Sequence, residues 1–216
     1  PSRRRTPAGR GDELDVRATL SAARRTGGLP LRPVRRRRRT RPRRLVLLCD
    51  VSGSMEPYAR AYLQLLLGGV GGARAEAFVF ATRLTRVTRA LRHRRPDVAL
   101  ERAGRAAPDW SGGTRLGEAL RAFNAEHGRR GVARGAVVVI LSDGWDRGDP
   151  ALVAREMERL RRLAHRVVWV NPRSSRPGFL PLAGGMAAAL PHVDVLLSGH
   201  SLAALEEVLA AIRGEV

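Results

Sequence analysis

The stretch Leu45-Val46-Leu47-Leu48-Cys49-Asp50-Val51-Ser52-Gly53-Ser54-Met55 decides the fold. Its first half is an apolar, partly β-branched run that reads as a buried strand. The run stops abruptly at one carboxylate, two hydroxyls and a glycine. In open α/β sheets, ligands bind in the crevice beyond the carboxyl ends of the strands, which is where Asp50, Ser52 and Ser54 are expected. Three hard oxygens on one tight loop suit Mg²⁺ or Mn²⁺ and would not hold zinc or copper selectively.

Outward from this loop, strand and helix patterns alternate, predicting a Rossmann-like, doubly wound, mostly parallel α/β sheet with helices on both faces. A helix is expected over 58–67, with Tyr62, Leu65 and Leu66 toward the sheet and Gly68-Gly69 as its stop. Strands follow at 75–81 and 84–88, joined by a tight antiparallel connection. Helices are expected over 96–105 and 116–123. Val137-Val138-Val139-Ile140-Leu141 is the strongest strand signal and marks a central strand, ended by Asp143-Gly144. Asp149-Pro150 opens a helix carrying Leu152, Val153, Met157, Leu160 and Leu163. Strands at 166–170 and 193–197 enclose a long connection over 172–191. Ser201 caps a last helix with Leu202, Leu205, Leu209 and Ile212 on one face.

Upstream the chain changes character. Residues 1–43 are expected to be an arginine-rich N-terminal arm with one short helix over 15–25 that places Val16, Leu20 and Ala23 on one side, and residues 44–216 the globular domain. The 1–16 stretch has no sustained period and predicts a flexible or partner-ordered arm. Of the formal charge of +20, residues 1–44 hold +13 (16 arginines against three acids) and residues 45–216 hold +7 (24 against 17). No lysine is present, so the charge is partly a coding bias and a weak argument for nucleic acid. The run Arg35-Arg36-Arg37-Arg38-Arg39 has no interleaved aromatic residue, which argues against base stacking and for a solvated arm or an acidic partner.

At 216 residues the chain has length for one α/β domain plus an appendage. No apolar run approaches the roughly 18 residues of a membrane span, and no signal core follows Pro1, so a cytoplasmic protein is expected. Pro1 in place of methionine makes a longer natural chain the expectation. Cys49, the sole cysteine, excludes an internal disulfide. His93, His127, His165, His192 and His200 show no metal-ligand spacing.

Two further loops share the chemistry of the first: Asp109-Trp110-Ser111-Gly112-Gly113-Thr114 before a helix, and Ser142-Asp143-Gly144-Trp145-Asp146 after the strongest strand. Thr114 alone reads as an N-cap and Asp143-Gly144 alone as a turn. Their order, each at the end of the appropriate element, points instead to convergence of Asp50, Ser52, Ser54, Thr114 and Asp143 at one switch point. Trp110 and Trp145 flank that point, either as buried supports of the loops or as exposed anchors for a partner.

Asp50-Val51-Ser52-Gly53-Ser54, Gly113-Thr114 and Asp143-Gly144 resemble the metal-ion-dependent adhesion site of von Willebrand factor type A domains, over roughly residues 44–214. The resemblance implies that the Ser52, Ser54 and Thr114 hydroxyls bind the ion, with Asp50 and Asp143 contributing directly or through water. Asp15-Val16-Arg17-Ala18-Thr19-Leu20, the arginine-rich strip, Asp109-Trp110-Ser111-Gly112-Gly113-Thr114, Asn171-Pro172 and Gly185-Met186-Ala187 through Pro191 are similar to the CoxE-like subfamily. That similarity implies a MoxR-type AAA+ ATPase as partner, and a role in maturing a client metalloenzyme, such as a molybdenum hydroxylase or carbon monoxide dehydrogenase.

Three neutral hydroxyls and two carboxylates, one or both of the latter acting through water, leave a bound Mg²⁺ under-neutralised and open to an acidic side chain of a partner. The reading is therefore a metal-dependent docking module, not an enzyme. A nucleic-acid binder acting through the basic arm is the first alternative, and a metal-dependent phosphohydrolase using Asp50 and Asp143 the second. Against the latter stands the absence of a phosphate-cradling Gly-x-x-x-x-Gly-Lys loop and of a Gly-x-Ser-x-Gly elbow.

Overall fold

The computed structural model describes residues 5–7, 13–24, 27, 32–38, 42–107, 109, 112–128, 131–175, 178 and 184–214. They fall into two compact units, Pro1–Pro42 and Arg43–Val216.

In the first unit, β1 (Arg5–Pro7), β2 (Glu13–Leu14) and β3 (Arg35–Arg38) form an antiparallel sheet in the order β1-β3-β2. The arginine run thus contains a strand, where a solvated arm was expected. Pairing is reinforced by an Arg36–Glu13 ion pair at 3.6 Å. The helix α1 (Val16–Ala23) is capped by Asp15, whose carboxylate accepts from the Ala18 N–H. Its buried side is Thr19 and Ala23, while Val16 and Leu20 are exposed. Thr19 is held in place by its hydroxyl, which donates to the Asp15 carbonyl and receives the Val34 N–H.

In the second unit the elements are β4 (Leu45–Asp50), α2 (Glu56–Gly72), β5 (Glu76–Phe80), β6 (Leu84–Arg86), α3 (Thr88–Leu91), α4 (Pro96–Ala106), α5 (Leu116–Ala122), β7 (Val137–Leu141), α6 (Pro150–Leu163), β8 (Arg166–Val170), α7 (Gly184–Ala189), β9 (Val195–Leu197) and α8 (Leu202–Arg213). The sheet order is β6-β5-β4-β7-β8-β9, parallel throughout except for the β5–β6 hairpin. β4 is buried along its whole length, which is why its sequence does not alternate. Its side chains divide between two cores. Leu45, Leu47 and Cys49 meet Tyr62, Leu66 and Val70 of α2 with Ala99 and Ala103 of α4. Val46 and Leu48 meet Leu116 and Leu120 of α5, Val153 and Met157 of α6, and Trp169. Each fully buried Leu or Val contributes about 1.5–3 kcal/mol relative to leaving it exposed, so the two cores hold β4 from both faces.

Three expectations are corrected. Gly68-Gly69 does not stop α2, which continues to Gly72 because Gly69 lies against β4: a Cβ there would stand 2.7 Å from Leu47 Cδ1. The long connection over 172–191 carries α7, whose Met186 and Ala189 are buried. On α8 the buried residues are Ala204, Val208 and Ala211; Ile212 packs against the same core as expected but Leu209 is exposed, and the side chains of Leu202 and Leu205 lie outside the described residues. The cap expectations hold: Asp149 accepts from Ala151 N–H at 2.9 Å with Pro150 following, and Ser201 caps α8.

From β4 the chain winds outward to β5 and β6, then returns across β4 to β7, β8 and β9. The order reverses between β4 and β7, so the crevice beyond their carboxyl ends is the topological switch point.

Candidate metal centre

Asp50 ends β4 with no exposure to solvent. Its Oδ1 accepts the Ser52 N–H at 2.9 Å and its Oδ2 accepts the Ser142 hydroxyl at 2.8 Å. Burial pushes this carboxyl up to about 6, the Ser52 and Ser142 hydrogen bonds oppose the rise, and the nearby Asp143 charge adds to it. The Ser52 and Ser54 hydroxyls stand 3.3 Å apart on the short 3₁₀ turn that leads into α2.

The second loop is tied to the first by the Gly53 N–H donating to the Gly112 carbonyl at 3.2 Å. Asp109 anchors it to the β5–β6 hairpin, its Oδ2 accepting from the Thr82 N–H, the Thr82 hydroxyl and the Arg83 N–H at 2.8, 2.6 and 3.0 Å. The Arg115 N–H donates to the Ala81 carbonyl, which leaves Thr114 buried at the mouth of α5. Trp110 and Ser111 lie outside the described residues.

The third loop leaves β7. Asp143 Oδ1 accepts the Trp145 N–H at 3.1 Å, and the Ser142 hydroxyl also receives the Gly144 N–H at 3.0 Å. Gly144 sits at φ +74 with Met186 against it, a conformation and a space that suit only glycine. Asp146 accepts from the Leu116 and Gly117 N–H groups, and the Arg147 N–H donates to the Thr114 carbonyl, so loops two and three hold each other.

A fourth loop, after β8, was not read as part of the site. Buried Asn171 donates from Nδ2 to the Asp143 carbonyl at 3.1 Å and accepts the Arg173 N–H at 2.9 Å. Arg173 then reaches Asp143, with Nε 3.5 Å from Oδ2, and Nη2 is 3.5 Å from the Ser54 carbonyl. The sequence signal was an Asn at the end of a strand, which makes the same side-chain-to-backbone turn as Asp50 and Asp143. Ser142, Asp109 and Asp146, to which the motif spacing assigns no role, are the fasteners of the site.

Ser52, Ser54 and Thr114 line one cleft of about 410 Å³ with Gly53, Gly112, Gly113, Trp145, Arg147 and Arg173. Asp50 and Asp143 do not line it; both are buried behind its wall. Trp145 is 57% exposed, which settles its reading in favour of an exposed side chain. The five side chains offer three hydroxyls and two buried carboxylates, and Asp143 Oδ2 is buried with no hydrogen-bond partner. Such a set fits a hard divalent cation. Among the described residues no three His, Cys, Asp or Glu side chains cluster as a metal group.

The doubly wound sheet with this strand order has the von Willebrand factor type A fold. More narrowly, the chain belongs to the family of VWA domain containing CoxE-like proteins, whose profile matches residues 1–205. No curated protein matches the chain. Among solved structures it is similar to a von Willebrand factor type A protein from Catenulispora acidiphila, with 18% identity, a TM-score of 0.50, and coverage of 80% of this chain and 42% of that one. It is also similar to proximal thread matrix protein 1 from the mussel byssus, solved with a zinc-occupied MIDAS motif, at 13% identity and a TM-score of 0.51, covering 79% of this chain and 46% of that one. The chain thus spans under half the length of these relatives. Among the described residues no helix is long and apolar enough to cross a membrane.

Proposed function

We propose that Asp50, Ser52, Ser54, Thr114 and Asp143 hold one Mg²⁺, with Mn²⁺ as a substitute, and that the centre docks an acidic side chain of a partner protein. The observation that carries this reading is the single cleft lined by three hydroxyls from two loops, backed by two buried carboxylates, one with an oxygen that accepts no hydrogen bond. Bound there, the ion supplies an electrophilic position that a carboxylate from outside completes. The exposed Trp145 beside it offers an apolar contact of the kind enriched in binding hot spots.

On this reading the chain is a cytoplasmic interaction module and not an enzyme. Family membership supports an accessory role beside a MoxR-type AAA+ ATPase, in maturation of a metalloenzyme of the molybdenum hydroxylase or carbon monoxide dehydrogenase kind. The test is co-purification with such an ATPase and its client, with and without Mg²⁺. Asp50→Ala, Ser52→Ala and EDTA should each abolish association while the circular dichroism spectrum stays native. Association that survives all three overturns the proposal.

A further inference from the structure

Arg173 is a permanent cation held against the proposed metal centre, and its placement is not accidental flexibility of a surface side chain. Its backbone is fixed by Asn171, itself fully buried and bonded to the Asp143 carbonyl. Its Nε is buried and lies 3.5 Å from Asp143 Oδ2, yet neither atom has a hydrogen bond: the two form an ion pair outside hydrogen-bond geometry. The Asp143 side chain is only 1% exposed and that of Arg173 33%. Charge attraction at such a half-sheltered site is several times stronger than in water. Arg147 adds a second guanidinium to the same cleft, 3.3 Å from where a Cβ on Gly113 would lie.

We infer that Arg173 sets the metal affinity of the centre by serving as the resident counter-cation of Asp143, so that a divalent ion and Arg173 compete for one carboxylate. This inference rests on the metal reading proposed above. A divalent ion arriving at Asp143 meets a guanidinium already there and binds weakly on its own. A partner's carboxylate neutralises both cations at once, so ion and partner bind cooperatively, with Arg173 supplying the coupling. Occupancy of the centre then rises when the partner binds. Arg173 is a positioning and tuning residue, distinct from the five oxygen donors.

The test is calorimetric titration of the full chain with Mg²⁺ alone, comparing wild type, Arg173→Ala, Arg173→Lys and Arg147→Ala, with thermal melts to verify folding. Arg173→Ala should tighten Mg²⁺ binding by about tenfold, Arg173→Lys should stay near wild type, and Arg147→Ala should change affinity by far less. In the presence of an acidic peptide, the gain in Mg²⁺ affinity that the peptide gives should shrink in Arg173→Ala. Unchanged or weakened binding in Arg173→Ala overturns the inference while leaving the metal centre intact. Equal tightening in Arg147→Ala also overturns it, by tracing the effect to net charge. Absence of saturable Mg²⁺ binding in every variant overturns the metal reading itself.

Discussion

Asp109 shows what one side chain outside the donor set does for the site. Its Oδ2 accepts three donors from Thr82 and Arg83, tying the Gly112–Thr114 loop to the β5–β6 hairpin. Partial burial raises its carboxyl, but the hydrogen bonds from Thr82 and Arg83 outweigh that and hold it below its ordinary value of 3.8. A carboxyl depressed in the folded state contributes stability that is complete above its ordinary value and is lost as pH falls through and beneath it. Asp109→Ala should cost about 1–2 kcal/mol in urea denaturation at neutral pH, since it strands three donors that solvent partly reaches. Asp109→Asn, uncharged at every pH, should flatten the acid limb of the stability curve below about pH 4. An acid limb identical to wild type would show that the hairpin anchor is not ionic.

At the scale of elements, α2 is the lever between the site and the sheet, because it starts at the Ser52–Ser54 turn and lies along β4. Its glycines have unlike roles. A Cβ on Gly68 meets nothing within 4 Å, whereas one on Gly69 would overlap buried Leu47. Gly68→Ala should therefore stabilise by about 0.5–1 kcal/mol, and Gly69→Val should destabilise by about 1–3 kcal/mol through overpacking. Equal effects in thermal or urea unfolding would mean that α2 does not seat on β4 through Gly69. The pair also shows why the end of α2 was misread. A double glycine marks a helix stop only when it must take a left-handed turn, and close approach to a neighbour leaves the same mark in sequence. By contrast, Asp149-Pro150 and Ser201 were legible as helix starts, because a cap is a local bond between residues two or three apart. On α8 the stripe is only partly legible: Ile212 packs on the core as expected while Leu209 does not, because leucine and alanine share the helix faces and packing against β8 and β9 favours Ala204, Val208 and Ala211.

For the whole molecule, the switch point was legible because the sequence shows both of its signs, apolar runs too continuous for a one-sided sheet and polar loops that end them. The oxygen cluster came from the same reading, with Ser52, Ser54 and Thr114 meeting in one cleft. What the pattern did not carry were the long-range fasteners. Ser142 to Asp50, Asp146 to the start of α5 and Arg173 to Asp143 bridge residues that only the assembled sheet brings together. The small sheet of the first unit escaped for another reason: strands of two to four residues, one of them a run of arginines, have no hydrophobic alternation to read. Composition there describes charge and conceals pairing.

Cys49 extends this to kinetics. It stands at zero exposure in the central strand, between Val79 of β5 and Leu141 of β7, one residue from the proposed metal donor Asp50. Burial, then the Asp50 charge, push its thiol above the ordinary range, so the native protein offers no reactive thiolate. As the only thiol in the chain, it makes the sheet its own stopwatch: alkylation can proceed only as often as the middle strand is uncovered. Iodoacetamide should label the native protein orders of magnitude more slowly than the urea-unfolded chain, and saturating Mg²⁺ should slow the labelling further. Labelling of the native protein at the rate of an unfolded thiol would show that β4 opens freely. A lone sulfur atom beside the donors thereby turns occupancy of the cleft into a measurable delay, with no probe attached to the protein beforehand.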